Sequence, residues 1–320
     1  MYEVSITSLN NADIPSLAEI KSQWLQFTTL SKDTPTFEKI MMDLEDDATQ
    51  SQHYSIITLY DEHKSLKGWM NIYTGFLKMA FIDNWNPYVN PVGHTDDIAR
   101  TLIEKAKEYI QDLGMDRLEI ELADVDANPD SLTLYSRWYE NAGFQWAAEE
   151  MVMGSDIRKI EIQKTPLPPS YELVPIDAMN NDIMKEPFFE SFSNSLDTLF
   201  LSMTPEQQLI SFDHWFNRTR PMIEGASYAL LFENQCIGFV IARVENAVAE
   251  IGPIGIVPSH RRKGLSVSLL SNCLYELKRQ GTNIARLYVS VNNEPAIKLY
   301  KKFGFVPMKK QVFYYWAPED

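Results

Sequence analysis

Apolar side chains recur along this chain in two rhythms, and each rhythm predicts an element. Residues 2–9 alternate as a strand does, and residues 14–27 then show the three- and four-residue spacing of an amphipathic helix, with Asp13 as a cap and Pro15 in the first turn. A second helical stretch over 36–47 puts Phe37, Ile40, Met41 and Leu44 on one face. Alternation returns at 54–60 and 68–74 around the polar turn 61–66, which predicts an antiparallel hairpin that 78–82 continues. An irregular Asn- and Pro-rich connection over 84–95 leads to a helix from Asp96 or Asp97 to Leu113, stopped by Gly114. A strand at 117–122, a helix at 131–141 and a β region opened by Gly143 and Phe144 follow.

The second half repeats that order. Strand 171–176, helical stretches 181–201 and 204–217, hairpin 227–232 with 238–244, strand 248–257, helix 265–280, strand 285–291, helix 295–303 and strand 311–316 succeed one another. Tyr139 and Tyr300 each stand four residues before a Gly-Phe pair, which predicts an internal duplication. Between the halves, Pro166, Pro168 and Pro169 stiffen 159–170 into a linker or a crossing strand. The expected division is therefore 1–158, a connecting segment 159–170, and 171–320.

One junction carries distinctive chemistry. Strand 248–257 ends at Pro258, which supplies no backbone donor, and the helix over 265–280 starts after the turn Ser259-His260-Arg261-Arg262-Lys263-Gly264-Leu265-Ser266. The first turn of a helix presents unpaired N–H groups at the positive end of its dipole, and so it suits an anion. Gly264 allows close approach, Ser266 is small, and three cations flank the turn. A phosphate or diphosphate fits that description, although a solvated basic loop has the same pattern.

Charge sharpens the contrast between the halves. Residues 1–158 hold 27 acidic and 12 basic side chains, a difference of −15, whereas 159–320 hold 17 of each; the whole chain is at −15. Nucleic acid and anionic membranes are disfavoured partners for the first half, and its field tilts the choice of a small ligand toward a cation. At 320 residues two domains are expected, and no apolar run is long enough for a membrane span. Cys236 and Cys273 are too few for a disulfide scaffold, and the five histidines lack ligand spacing, so a cytoplasmic protein without a structural metal is expected.

With these residues in view, the chain resembles the GNAT superfamily of acyl-coenzyme A dependent N-acyltransferases in a tandem form. Two separated stretches carry the resemblance: Arg261-Arg262-Lys263-Gly264-Leu265-Ser266, with Ser266 where Gly or Ala is commoner, and the run from Asn293 through Tyr300 to Gly304 and Phe305. It implies an α/β (α+β) fold of two tandem domains, each a mixed, largely antiparallel central sheet flanked by helices. It further implies acetyl-CoA as acyl donor, held by Ile256 and Val257 along the pantetheine arm, by Arg261, Arg262, Lys263, Gly264, Leu265 and Ser266 at the diphosphate, and by Asn293 near the arm. Tyr300 would be the acid that meets the leaving thiolate, and Glu250, with Glu245 as the alternative, the base that serves the amine. The implied acceptor is a small-molecule or peptide amine, with a cationic one favoured by the acidic first half, and the protein a monomer or homodimer.

The first half departs from the pattern. Asn90-Pro91-Val92-Gly93-His94-Thr95 has the glycine but no cation, and Asp96 and Asp97 put negative charge where phosphate would lie. A degenerate first domain that keeps the fold, binds coenzyme weakly or not at all and shapes the acceptor site instead is the expectation. The competing function classes are a non-catalytic acyl-CoA-binding regulator and a protein-interaction pair using Trp85, Tyr88 and Trp316 as exposed aromatics.

Overall fold

Both predicted rhythms are realised as two sheet-centred units in a computed structural model that describes residues 2–28, 35–50, 53–217, 219, 222–223, 225–245 and 248–318. In chain order the first half gives β1 (Glu3–Ser8), α1 (Ile14–Thr28), α2 (Phe37–Gln50), β2 (Tyr54–Tyr60), β3 (Leu66–Tyr73), β4 (Met79–Ile82), β5 (Tyr88–Val89), α3 (Thr95–Asp112), β6 (Arg117–Ala123), α4 (Pro129–Asn141) and β7 (Gln145–Asp156). The second gives β8 (Tyr171–Pro175), α5 (Asp182–Ser193), α6 (Thr198–Leu201), α7 (Pro205–Trp215), β9 (Tyr228–Phe232), β10 (Gln235–Glu245), β11 (Val248–Ile256), α8 (Leu265–Arg279), β12 (Ile284–Ser290), α9 (Glu294–Lys302) and β13 (Val306–Trp316). The expected helix over 181–201 is two helices, because Asp197 caps a fresh start by accepting from the Phe200 N–H.

The division of the chain differs from the expected one. Unit 1 comprises Met1–Ala147 with Lys310–Asp320, and unit 2 comprises Ala148–Lys309. In unit 1 the final strand pairs antiparallel with β6, from Gln311↔Ala123 to Trp316↔Leu118. In unit 2 it is β7 that lines β12, from Ile284↔Asp156 to Ser290↔Glu150. Each unit thus takes one strand from the sequence half that otherwise builds the other. Residues 159–170 contain no strand; they lie along α8, where the Thr165 N–H donates to Ser271 Oγ at 2.9 Å and Lys164 Nζ pairs with Glu276 Oε1 at 2.7 Å.

Unit 1 has the strand order β1, β2, β3, β4, β6 and β13, with only β4 and β6 parallel. Unit 2 has β8, β9, β10, β11, β12 and β7, with only β11 and β12 parallel. A parallel pair needs a crossover, and α8 supplies it. Leu269, Leu270, Leu274 and Leu277 of α8 bury themselves against Ala249, Ile251, Ala285 and Leu287 on one sheet face. Phe188, Phe200 and Phe212 of α5, α6 and α7 pack on Phe239 and Ile241 on the other.

Trp85 and Tyr88 are not exposed aromatics. They are buried at 7% and 6% accessibility because the chain after β4 folds back to pair with β3. Trp316 is half-buried, packs on the core of unit 1 and carries Lys107 Nζ over its ring. Among the described residues, no helix is long and apolar enough to cross a membrane, and no group of three or more His, Cys, Asp or Glu could hold a metal ion.

Candidate active site in the second unit

The ladder between β11 and β12 holds at only two positions, Ala249↔Ala285 and Glu250↔Arg286. Beyond them β12 stays paired with β7, while β11 stays paired with β10 as far as Gly238↔Ile256, across a register shift between Val240 and Ala242. The two strands therefore part, and the β12-facing edge of β11 past Glu250 lies outside the ladder. An open strand edge inside a fold suits an extended, amide-bearing ligand, because main-chain groups can pair with it as another strand would.

At the far end of β11 the turn into α8 leaves the helix start open. Gly264 is the N-cap, in the left-handed region at φ 77°, and no side chain caps the helix. A Cβ at Gly264 would meet nothing within 4 Å, so the backbone faces open space. Arg262 also has positive φ, at 60°, and Arg262, Lys263 and Gly264 are exposed. Lys263 Nζ donates to the Tyr171 hydroxyl at 3.3 Å, which also lies 2.9 Å from His260 Nδ1. Burial, and then the neighbouring Lys263 charge, hold the His260 imidazole below its ordinary pKa. Leu265 is buried under the first turn of α8, and Ser266 is half-buried beside it.

Three expected coenzyme ligands are otherwise engaged. Arg261 donates from Nε to the Ile256 carbonyl at 2.9 Å, from Nη1 to the Asn194 carbonyl at 2.9 Å and from Nη2 to the Ser191 carbonyl at 2.8 Å. Its side chain is a clip between β11 and the end of α5. The Val257 N–H donates to the Ile237 carbonyl at 2.9 Å, on the side of β11 away from the opening. Asn293 is the N-cap of α9, its Oδ1 accepting from the Ala296 N–H at 3.3 Å.

Tyr300 projects from α9 into the core beside Phe305, with ring centroids 6.2 Å apart, and burial pushes its phenol up to about 12. Glu250 is buried at 9% accessibility and accepts from Arg286 Nη2 at 3.1 Å. The alternative base, Glu245, has its side chain outside the described residues. Cys273 is wholly buried, and burial raises its thiol well above the ordinary value; burial raises Cys236 as well. Neither is a ready nucleophile.

Residues 186–305 match the family model of the acetyltransferase (GNAT) family. That match lies within the second unit. The mycothiol acetyltransferase of Paenarthrobacter aurescens strain TC1 is 31% identical to the chain over 108 residues, covering 32% of each protein. The N-alpha-acetyltransferase of Sulfolobus acidocaldarius is 33% identical over 109 residues, 30% of this chain and 64% of that protein. The chain thus spans about a third of the first of these relatives and under two thirds of the second.

Across its full length the chain superposes on the GCN5-related N-acetyltransferase of Sphaerobacter thermophilus, with TM-score 0.64, 14% identity and 97% of that chain covered. It also superposes on the tandem GNAT protein from the clavulanic acid biosynthesis pathway, with TM-score 0.58, 14% identity and complete coverage of both chains. At that identity the likeness is one of fold.

The sequence did not point to Arg286, Tyr288 or Tyr171. Their positions near the strand opening come from cross-strand register, for which the alternation over 284–290 gives a face but no neighbour.

Proposed function

We propose that the second unit moves an acetyl group from acetyl-CoA to a primary amine by direct attack. The observation that carries this reading is the strand opening past Glu250 leading to the uncapped N-terminus of α8. A diphosphate can sit on the N–H groups from Lys263 to Ser266, with Arg262 and Lys263 as its counter-charges. The edge of β11 up to Ile256 can pair with the pantetheine amides. Arg261 and Asn293 hold the walls of that site, the first through three backbone carbonyls and the second as a helix cap.

The amine nitrogen forms its bond to the acyl carbon as the carbon–sulfur bond breaks. The excess amine proton passes to Glu250, directly or through water, and the thiolate takes a proton from the Tyr300 hydroxyl. A phenol raised to about 12 is protonated throughout the neutral range, so Tyr300 is in the form that can donate. No enzyme acyl adduct is needed, consistent with two thiols held in their neutral forms by burial.

The first unit we read as a non-catalytic partner that does not take coenzyme. By ladder position Phe81, between Tyr73 and Glu119, stands where Glu250 stands between Arg243 and Arg286. Its parallel ladder holds over four positions, and the loop after β4 is stitched to α4: Tyr139 donates to the Asn86 carbonyl at 2.6 Å and Tyr135 to the Trp85 carbonyl at 2.6 Å. These contacts hold the loop after β4 against α4. Asp96, at the start of α3, is paired with Arg137 and accepts from Trp138.

The test is calorimetry of the full chain with acetyl-CoA, followed by a thiol-release screen over an amine panel. One saturable site per chain, lost in Arg262→Glu with Lys263→Glu, supports both readings. No binding at millimolar acetyl-CoA rejects the transferase, and two sites per chain reject the reading of the first unit.

A further inference from the structure

Glu250 and Arg286 form the last cross-strand pair before β11 and β12 separate. Their ion pair therefore marks the inner end of the opening. It faces away from α8, since Ala249, Ile251, Ala285 and Leu287 alternate with it toward the α8 core. The carboxylate and guanidinium meet through an Nη2–Oε2 contact of 3.1 Å, and their side chains remain 11% and 27% exposed. Tyr288, two residues along the same face of β12, is 37% exposed, with the Arg286 guanidinium carbon 5.9 Å from its ring centre.

Arg243, opposite Glu250 on β10, is placed differently. It is buried and donates to the carbonyls of Trp215 and Asn217 at 2.6 and 3.2 Å, which ties it to the end of α7. Arg286 shares the open face with Glu250.

An amine delivered to Glu250 comes within reach of that guanidinium. A purely cationic acceptor would meet like charge there, undoing much of the attraction that the carboxylate offers. An amine that also bears an anionic group satisfies both partners, the nitrogen against Glu250 and the acid against Arg286. We propose that the acceptor is such a molecule, an amine with a nearby carboxylate or phosphate, and that Arg286 is the residue that selects it. This rests on the transferase reading of the second unit, and it replaces the bias toward cationic acceptors that the acidic first half suggests. The guanidinium fork suits either acid group, and the exposed Tyr288 face can flank the acceptor's body.

The experiment uses the full chain and acetyl-CoA, with thiol release measured on matched amines. The pairs are tyrosine with tyramine, phenylalanine with phenethylamine, lysine with cadaverine, and glucosamine 6-phosphate with glucosamine. The acid-bearing member is expected to lead by about tenfold or more in kcat/KM in every pair that reacts, the worth of one partly exposed charge-assisted contact. The first three pairs read a carboxylate and the last a phosphate.

Arg286→Gln is expected to erase that lead by raising KM for the acid-bearing member, with acetyl-CoA affinity and melting temperature showing that the fold and coenzyme site persist. Arg286→Lys is expected to recover part of the lead. A wild-type protein that uses the acid-free amine as well or better overturns the proposal. So does a lead unchanged in Arg286→Gln, and so does binding of acetyl-CoA with no member of any pair reacting. Failure of acetyl-CoA to bind at all is the separate result that removes the transferase reading beneath it.

Discussion

The Arg261 guanidinium donates to the Ser191 carbonyl at 2.8 Å, tying the basic turn before α8 to the end of α5. With the Ile256 and Asn194 carbonyls it fills a three-point clip that no shorter or single-headed side chain can span. Arg261→Met keeps the stem and removes the donors. The expected outcome is a loss of about 2–4 kcal/mol in stability, the scale of losing several charge-assisted hydrogen bonds with partial compensation by water. Thermal unfolding measures it. Acetyl-CoA affinity at permissive temperature is expected to fall less than in Arg262→Glu, because Arg262 is exposed at the turn whereas Arg261 is engaged behind it; the opposite order would make Arg261 a direct ligand.

Tyr300→Phe separates chemistry from binding. The ring stays in the core, so the acetyl-CoA dissociation constant is expected to change little, while kcat falls on the order of a hundredfold with loss of the proton donor. A phenol at about 12 predicts that wild-type kcat shows no alkaline limb from this group below about pH 10. An alkaline fall near pH 8 that disappears in Tyr300→Phe would contradict the assignment.

The exchanged strands make a prediction about truncation. Val312 and Tyr314 of β13 are buried in the core of unit 1, where the Tyr314 hydroxyl donates to Ser136 Oγ at 2.9 Å. Ending the chain at residue 309 exposes the β6 edge and removes these two side chains, worth roughly 1.5–3 kcal/mol each on burial. Unit 1 is expected to lose hydrogen-exchange protection along β6 even though residues 1–147 are untouched. Unchanged protection there would show that unit 1 does not depend on the exchanged strand.

Much of this was legible in local pattern. The hairpin of β2 and β3, the turn before α8, and the duplicated Tyr139 and Tyr300 signals all lie within short windows where alternation, capping and glycine chemistry operate. What escaped depends on distance in sequence. Arg261 meets carbonyls 67 and 70 residues away, and nothing in its own neighbourhood announces them. The alternation of 311–316 predicts a strand without saying which edge receives it, and its pairing with β6 is set by residues far away in sequence. Trp85 looked exposed because it lies in a Pro-rich loop; the return of Tyr88 and Val89 to β3 is what buries it.

Asp83 gives unit 1 a distinctive pH response. Burial first, opposed by a hydrogen bond from Asn71 Nδ2 and by the Lys21 charge and joined by repulsion from Asp47, raises its carboxyl to about 6. The folded pKa lies above the unfolded value of 3.8, so the native state holds this proton more tightly. The associated stability is complete below about pH 4 and is lost as pH rises through 6, at most about 3 kcal/mol across the window. Asp83→Asn removes the titration and retains an oxygen that can accept from Asn71, while Lys21 keeps Asp47 as a partner. Relative to wild type, the variant is therefore expected to gain about 2 kcal/mol of stability between pH 4.5 and 7.5, as measured by urea unfolding at both values. Parallel pH profiles for the two proteins would show that Asp83 does not take up its proton on folding.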